Sequence, residues 1–105
     1  MSTHKEQLVV HAPLSHVARL CRDEARSYGY EVLQEEETRF VIREPFRFGF
    51  SNPADISVLL QEKSNETYVT LVGSNFGWGP IQSGHVRRQV TELKNRLDVA
   101  FAATP

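Results

Sequence analysis

The sequence predicts an α+β domain, an antiparallel sheet of about five strands in the order β-α-β-β-β-β-α with both helices on one face. Three observations carry this reading. Short β-branched runs bounded by turn residues recur between Lys5 and Ser74; two other segments repeat their apolar residues at helical spacing; and those segments stand early and late, leaving an uninterrupted run of strands between them.

Each element follows from local chemistry. Lys5 to His11 (KEQLVVH) is a strand stopped by Ala12-Pro13, where proline can open a helix. The helix expected from Pro13 to Tyr28 ends at Gly29, a residue suited to the left-handed conformation. Tyr30 begins the strand YEVLQEEE, and Glu37-Thr38 turns it into RFVIRE. Pro45 breaks that strand; FRFGF then places Phe46, Phe48 and Phe50 on one side of an extended segment, before the turn residues Ser51, Asn52 and Pro53. DISVLLQE and TYVTLVGS form the clearest hairpin, joined by Lys63-Ser64-Asn65-Glu66. The last element is a helix from Ser83 to Ala102.

The strand-to-helix entry VVHAPLSHVARL and the closing VTELKNRLD carry a likeness in topology over nearly the whole chain. The chain resembles the TATA-binding-protein-like fold and looks like a trimmed helix-grip domain of the START and Bet v 1 kind. It is shorter than full helix-grip domains and lacks strands and a short helix that help to enclose their cavity, so the resemblance implies a small cleft at most.

At 105 residues, 40% hydrophobic and 24% charged, the chain reads as one globular domain, residues 1–105, without linker or repeat. Twelve Lys and Arg against thirteen Asp and Glu leave a net charge of -1, which supplies no general attraction to nucleic acid or anionic membrane; neither is expected as a partner. MSTHKEQLVV has no apolar core of signal-peptide length and no run elsewhere could span a bilayer, so a cytoplasmic location is the default. Cys21 stands alone, so no intramolecular disulfide can form, and the Asn65-Glu66-Thr67 sequon is read as chance. No cofactor and no metal is expected.

On the final helix Val86, Val90, Leu93, Leu97, Ala100 and Phe101 fall within one arc roughly 100° wide, the stripe of a helix lying on a sheet. Arg87, Arg88, Lys94 and Arg96 scatter around the rest, with Glu92 spaced to pair with Arg96 and Lys94 with Asp98. On the first helix Leu14, Val17, Ala18, Leu20, Cys21, Ala25 and Tyr28 share an apolar face, where a small thiol serves as packing. Glu24 falls inside that face. A buried carboxylate must find a partner or become neutral; Glu24 either reaches solvent or a strand arginine such as Arg43, or points into a small cleft between helix and sheet.

His11 and His16 have no recognised metal spacing, and His85 could join them only if the two helix starts were adjacent. Nucleophile-elbow, EF-hand and zincin motifs are missing. The glycine-rich SNFGWGPIQSGHVRRQV fails as a dinucleotide fingerprint, because Gly84 comes two positions late. It reads instead as a tight strand-to-helix connector, with Pro80 or Ser83 starting the helix and Trp78 anchored against the sheet edge.

Tyr30, Val32, Phe40, Ile42, Ile56, Val58, Leu60, Tyr68 and Val72 are assigned to the sheet face under the helices, and Leu8, Val10, Leu33, Val41, Leu59, Val69 and Leu71 to the other. A single layer of helices cannot bury both, so the FRFGF segment, a second copy or a partner protein should cover the second face, with a homo-oligomer favoured. Two non-catalytic functions stay open: an interaction or assembly domain, and a small module binding an apolar ligand in a helix–sheet cleft through Glu24, Tyr30, Phe76 and Trp78. The alternative is an enzyme of unmarked type using Glu24 and nearby histidines.

Overall fold

The computed structural model describes residues 1–46 and 49–103. The elements are β1 (Ser2–Val10), α1 (Leu14–Ser27), β2 (Glu31–Glu35), β3 (Arg39–Arg43), β4 (Asp55–Lys63), β5 (Glu66–Asn75) and α2 (Pro80–Ala103). The five strands form one antiparallel sheet in the order β1-β5-β4-β3-β2. The expected fold class is what the chain adopts. β1 and β2 lie at opposite edges, so α1 must cross the sheet to connect them.

Local signals set most boundaries. Pro13 caps α1 in an extended conformation, Gly29 follows its end at φ 83°, and Pro80 opens α2 three residues before Ser83. Ser64 and Asn65 take φ values of 52° and 68°, the paired left-handed conformation of a two-residue hairpin turn whose twist matches the strands it joins.

The core lies between the sheet and both helices. Val86, Val90, Leu93 and Leu97 are buried along α2, and Val17, Ala18, Cys21 and Ala25 along α1. Beneath them lie Phe40, Ile42, Ile56, Val58, Leu60, Val69 and Leu71, with Leu8 and Val10 from β1.

Two strands therefore face the opposite way from the sequence assignment. Leu8, Val10, Val69 and Leu71 are core, while Tyr68 and Val72 lie on the far face, half-buried. Leu8-Val9-Val10 and Tyr68-Val69 are apolar in both phases of the alternation, so period 2 cannot choose between them; pairing of Leu8 with Val69, and of Leu71 with Val58, does.

The correction moves Leu8, Val10, Val69 and Leu71 off the far face and puts Val9, Tyr68 and Val72 there beside Leu33, Val41 and Leu59. Val9 pairs there with Tyr68, while the other rows mix in polar groups: Leu59 stands between Arg39 and Thr70, and Val72 between Ser57 and Lys5. Gln7 donates to the Thr70 hydroxyl, and Arg43 forms a two-point pair with Asp55. Phe46 and Phe50 do not cover this face, being exposed, and Phe48 lies outside the described residues. Among the described residues no helix is long and apolar enough to cross a membrane.

Candidate functional site

β3 and β5 run the same way on either side of β4, so the connections that leave them, residues 44–54 and 76–79, emerge at one end of the sheet beside the start of α2. Glu44 continues the inward alternation of Phe40 and Ile42 and is buried. Its backbone amide donates to Ala54 O, while its own Oε1 accepts the Ala54 amide at 2.9 Å and lies 2.6 Å from His85 Nε2. A carboxylate taken out of water requires such partners, and here they clamp both ends of the 44–54 loop to α2.

The two loops are tied to each other as well. Gln82 accepts the Asn52 amide and the Asn75 side chain on Oε1 and donates from Nε2 to Phe50 O. Asn75 also donates to Asn52 O, Asn52 donates to Phe76 O, and the Ser2 hydroxyl donates to Gly77 O. Gly77 and Gly79 take φ values of 112° and 97°, which lifts Trp78 outward between them.

This rigid frame carries a rim of large apolar side chains in water. Phe46 is 79% exposed, Phe50 90%, Phe76 83%, Trp78 81% and Ile81 60%. Trp78 thus does not anchor the connector against the sheet edge. The ground beneath it is polar, formed by Ser2, Asn75 and Gln82, and offers no apolar slot.

The other residues expected at a site disperse. Glu24 lies at the edge of the α1 face, roughly 75° from its buried centre at 100° per residue. It lines an open groove with Asn95, Arg96, Val99 and Ala100, and no histidine stands beside it. Arg43, the sequence candidate for its partner, belongs to Asp55. Tyr30 is buried and donates its hydroxyl to Gln89 Oε1 at 2.5 Å. The cavity beside it, bounded by Tyr28, Gln89, Glu92, Leu93 and Arg96, has about 20 Å³, room for a single water. Arg96 does not pair with Glu92 but stacks over the Tyr28 ring, 3.1 Å from its centroid, whereas Lys94 and Asp98 do pair at 3.2 Å.

The helix starts lie at opposite ends of the sheet, which separates His16 from His85; among the described residues no group of three potential ligands could hold a metal. His11 and His16 line an open groove of about 670 Å³ with Leu8, Val10, Pro13 and Phe101, at the end away from the aromatic rim. Burial pushes the Cys21 thiol up to about 12, with Arg22 opposing weakly, so it stays a protonated packing group. Sequence reasoning missed the Glu44–His85 pair, which joins residues 41 apart. The signal was the alternation Phe40-Ile42-Glu44, which points the carboxylate inward.

No protein-family model and no curated protein matches the chain. Solved structures do. DynU16, from the dynemicin biosynthetic locus, superposes with a TM-score of 0.74 at 16% identity, covering 98% of this chain and 48% of that one. The chain therefore spans about half the length of DynU16. CalU16 from Micromonospora echinospora gives 0.68 at 12% identity over 97% and 76%, and the Aha1 dimer from Colwellia psychrerythraea gives 0.69 at 13% identity over 96% of each chain. At these identities the likeness shows the fold. It is the helix-grip arrangement, one of the two resemblances read from the sequence.

Proposed function

We propose that this chain is a cytoplasmic, non-catalytic interaction module, folding as one domain, whose working surface is the aromatic rim and whose occupant is a second copy of itself. The observation that carries the reading is the exposure of Phe46, Phe50, Phe76 and Trp78 on two loops tied together by hydrogen bonds, with Ile81 beside them in the first turn of α2. Contiguous apolar surface of more than a few hundred Å² marks an interaction site. By the ordinary size of such side chains these five offer roughly 700 Å², close to the ~800 Å² that each partner gives to a standard interface.

Self-pairing fits the rest of the molecule. A net charge of -1 sets up little repulsion between copies. Loops braced before contact lose little entropy on docking. The far sheet face, where Gln7 is bonded to Thr70 and Arg43 to Asp55, is the poorer candidate, and the structural neighbour from Colwellia psychrerythraea is itself a dimer.

Light scattering decides between copies. The 12.0 kDa chain should elute at twice its mass, and Phe76→Ala with Trp78→Ala should return it to monomer without loss of helix signal. A wild-type monomer contradicts the reading. A second reading, an apolar small molecule in the groove lined by Leu8, Val10 and Phe101, is favoured by the size of that groove and by the fold. Native mass spectrometry showing a bound small molecule on a monomer would select it.

A further inference from the structure

Gln82 stands in the first turn of α2, and its side chain reaches both loops of the rim. Its Oε1 accepts the Asn52 backbone amide and the Asn75 side-chain amide, each at 2.9 Å, and its Nε2 donates to Phe50 O at 2.9 Å. The backbone partners fix which end of the Gln82 amide is which, since an N–H can only donate and a carbonyl can only accept. The stem of the side chain runs against the connector: a Cβ placed on Gly77 would lie 3.2 Å from Gln82 Cγ. Each of these contacts falls on a rim aromatic or within two residues of one. Phe50 is held through its own carbonyl, Asn52 follows it by two positions, Asn75 precedes Phe76, and Gly77 separates Phe76 from Trp78.

Asn75 adds a second observation. It is 4% exposed and directs its amide hydrogens at Asn52 O and Gln82 Oε1, while its buried Oδ1 has no partner among the described residues. Buried acceptors are ordinarily satisfied. Here the donors hold Asn52 and Gln82 in place and the acceptor goes without, an arrangement that favours position over stability. We infer that Gln82 is the positioning residue for self-association. From beneath the rim it sets the spacing and direction of Phe50, Phe76 and Trp78, and it adds no apolar surface of its own. This rests on the reading of the rim as a pairing surface. Loops already held in the docking arrangement lose little freedom on contact, so losing the hub should weaken pairing more than it weakens the fold.

Light scattering over a dilution series gives the dimer dissociation constant of wild type and variants, with helix signal and thermal midpoint measured beside it. Gln82→Glu keeps the shape and Oε1 but turns the donor facing Phe50 O into an acceptor; at pH 7 it should weaken pairing about tenfold or more. Gln82→Met keeps the stem, removes all three hydrogen bonds and should weaken pairing similarly. On acidification through the usual glutamate range, about pH 4.3, Gln82→Glu regains an O–H donor and should recover toward wild type at the same pH, whereas Gln82→Met should not. Lost packing alone would not produce that difference. Ser83→Ala, its exposed neighbour, should change pairing by less than about twofold. Either Gln82 variant decides if the other loses its helix signal. A dimeric wild type whose Gln82 variants pair equally well, or lose affinity only in proportion to a lowered thermal midpoint, would overturn the inference and leave the pairing surface standing. A wild type that is monomeric at every concentration overturns both.

Discussion

Cys21 shows how one side chain is governed by its surroundings. It sits 2% exposed on the buried face of α1, and desolvation raises its thiol from 9.0 to about 12, with Arg22 opposing. The sign of the pH effect follows. Between about pH 9 and 12 the unfolded chain has lost this proton while the folded chain keeps it, so stability is full below pH 9 and falls as pH rises through that window. Chemical denaturation at pH 8 and pH 10.5 should show a smaller alkaline loss in Cys21→Ala than in wild type, and a thiol reagent should modify the native chain only at its unfolding rate. The packing role of Cys21 was legible from helical spacing alone. The place of Glu24 was not, because a wheel gives direction without saying where α2 lies, and Glu24 sits on that boundary.

At the scale of elements, the decisive contact is α2 against β5. A Cβ placed on Gly73 would lie 2.3 Å from Val90 Cγ2 and 3.1 Å from Val86 Cγ1, so the helix packs directly on the strand backbone at this residue. Gly73→Ala should therefore cost about 1–3 kcal/mol, seen as a lowered denaturation midpoint, with Val90→Ala in the same chain recovering part of the loss by making room. A Gly73→Ala midpoint equal to wild type would mean that the helix is not seated there. The same contact explains why strand existence could be read from the sequence while strand facing could not. β-branched composition announces β1 and β5, yet Leu8-Val9-Val10 is apolar in both phases, and it takes the helix above Gly73 to decide which phase is inside.

For the whole molecule, the fold puts its packing and its recognition in different places. The helix-grip sheet and helices enclose a filled core, with Val86, Val90, Val69 and Leu71 all inaccessible. The most exposed aromatic side chains, Phe46, Phe50, Phe76 and Trp78, gather on the loops at one end. The sequence contains all these aromatics, and it was their exposure that could not be read: Trp78 and Phe76 read as the edge of an apolar cleft until the Asn52, Asn75 and Gln82 network is seen to tie the loops together with polar groups. Pairing by this end is the central claim. Trp78 is the only tryptophan in the chain and reports on it directly through its fluorescence. Measured across a dilution series from high to low micromolar protein, its emission should lie toward the blue when concentrated and move to the fully hydrated wavelength on dilution, in step with the fall in mass. Emission at the hydrated wavelength throughout, from a chain that light scattering shows to be dimeric, would contradict the account by placing the interface elsewhere.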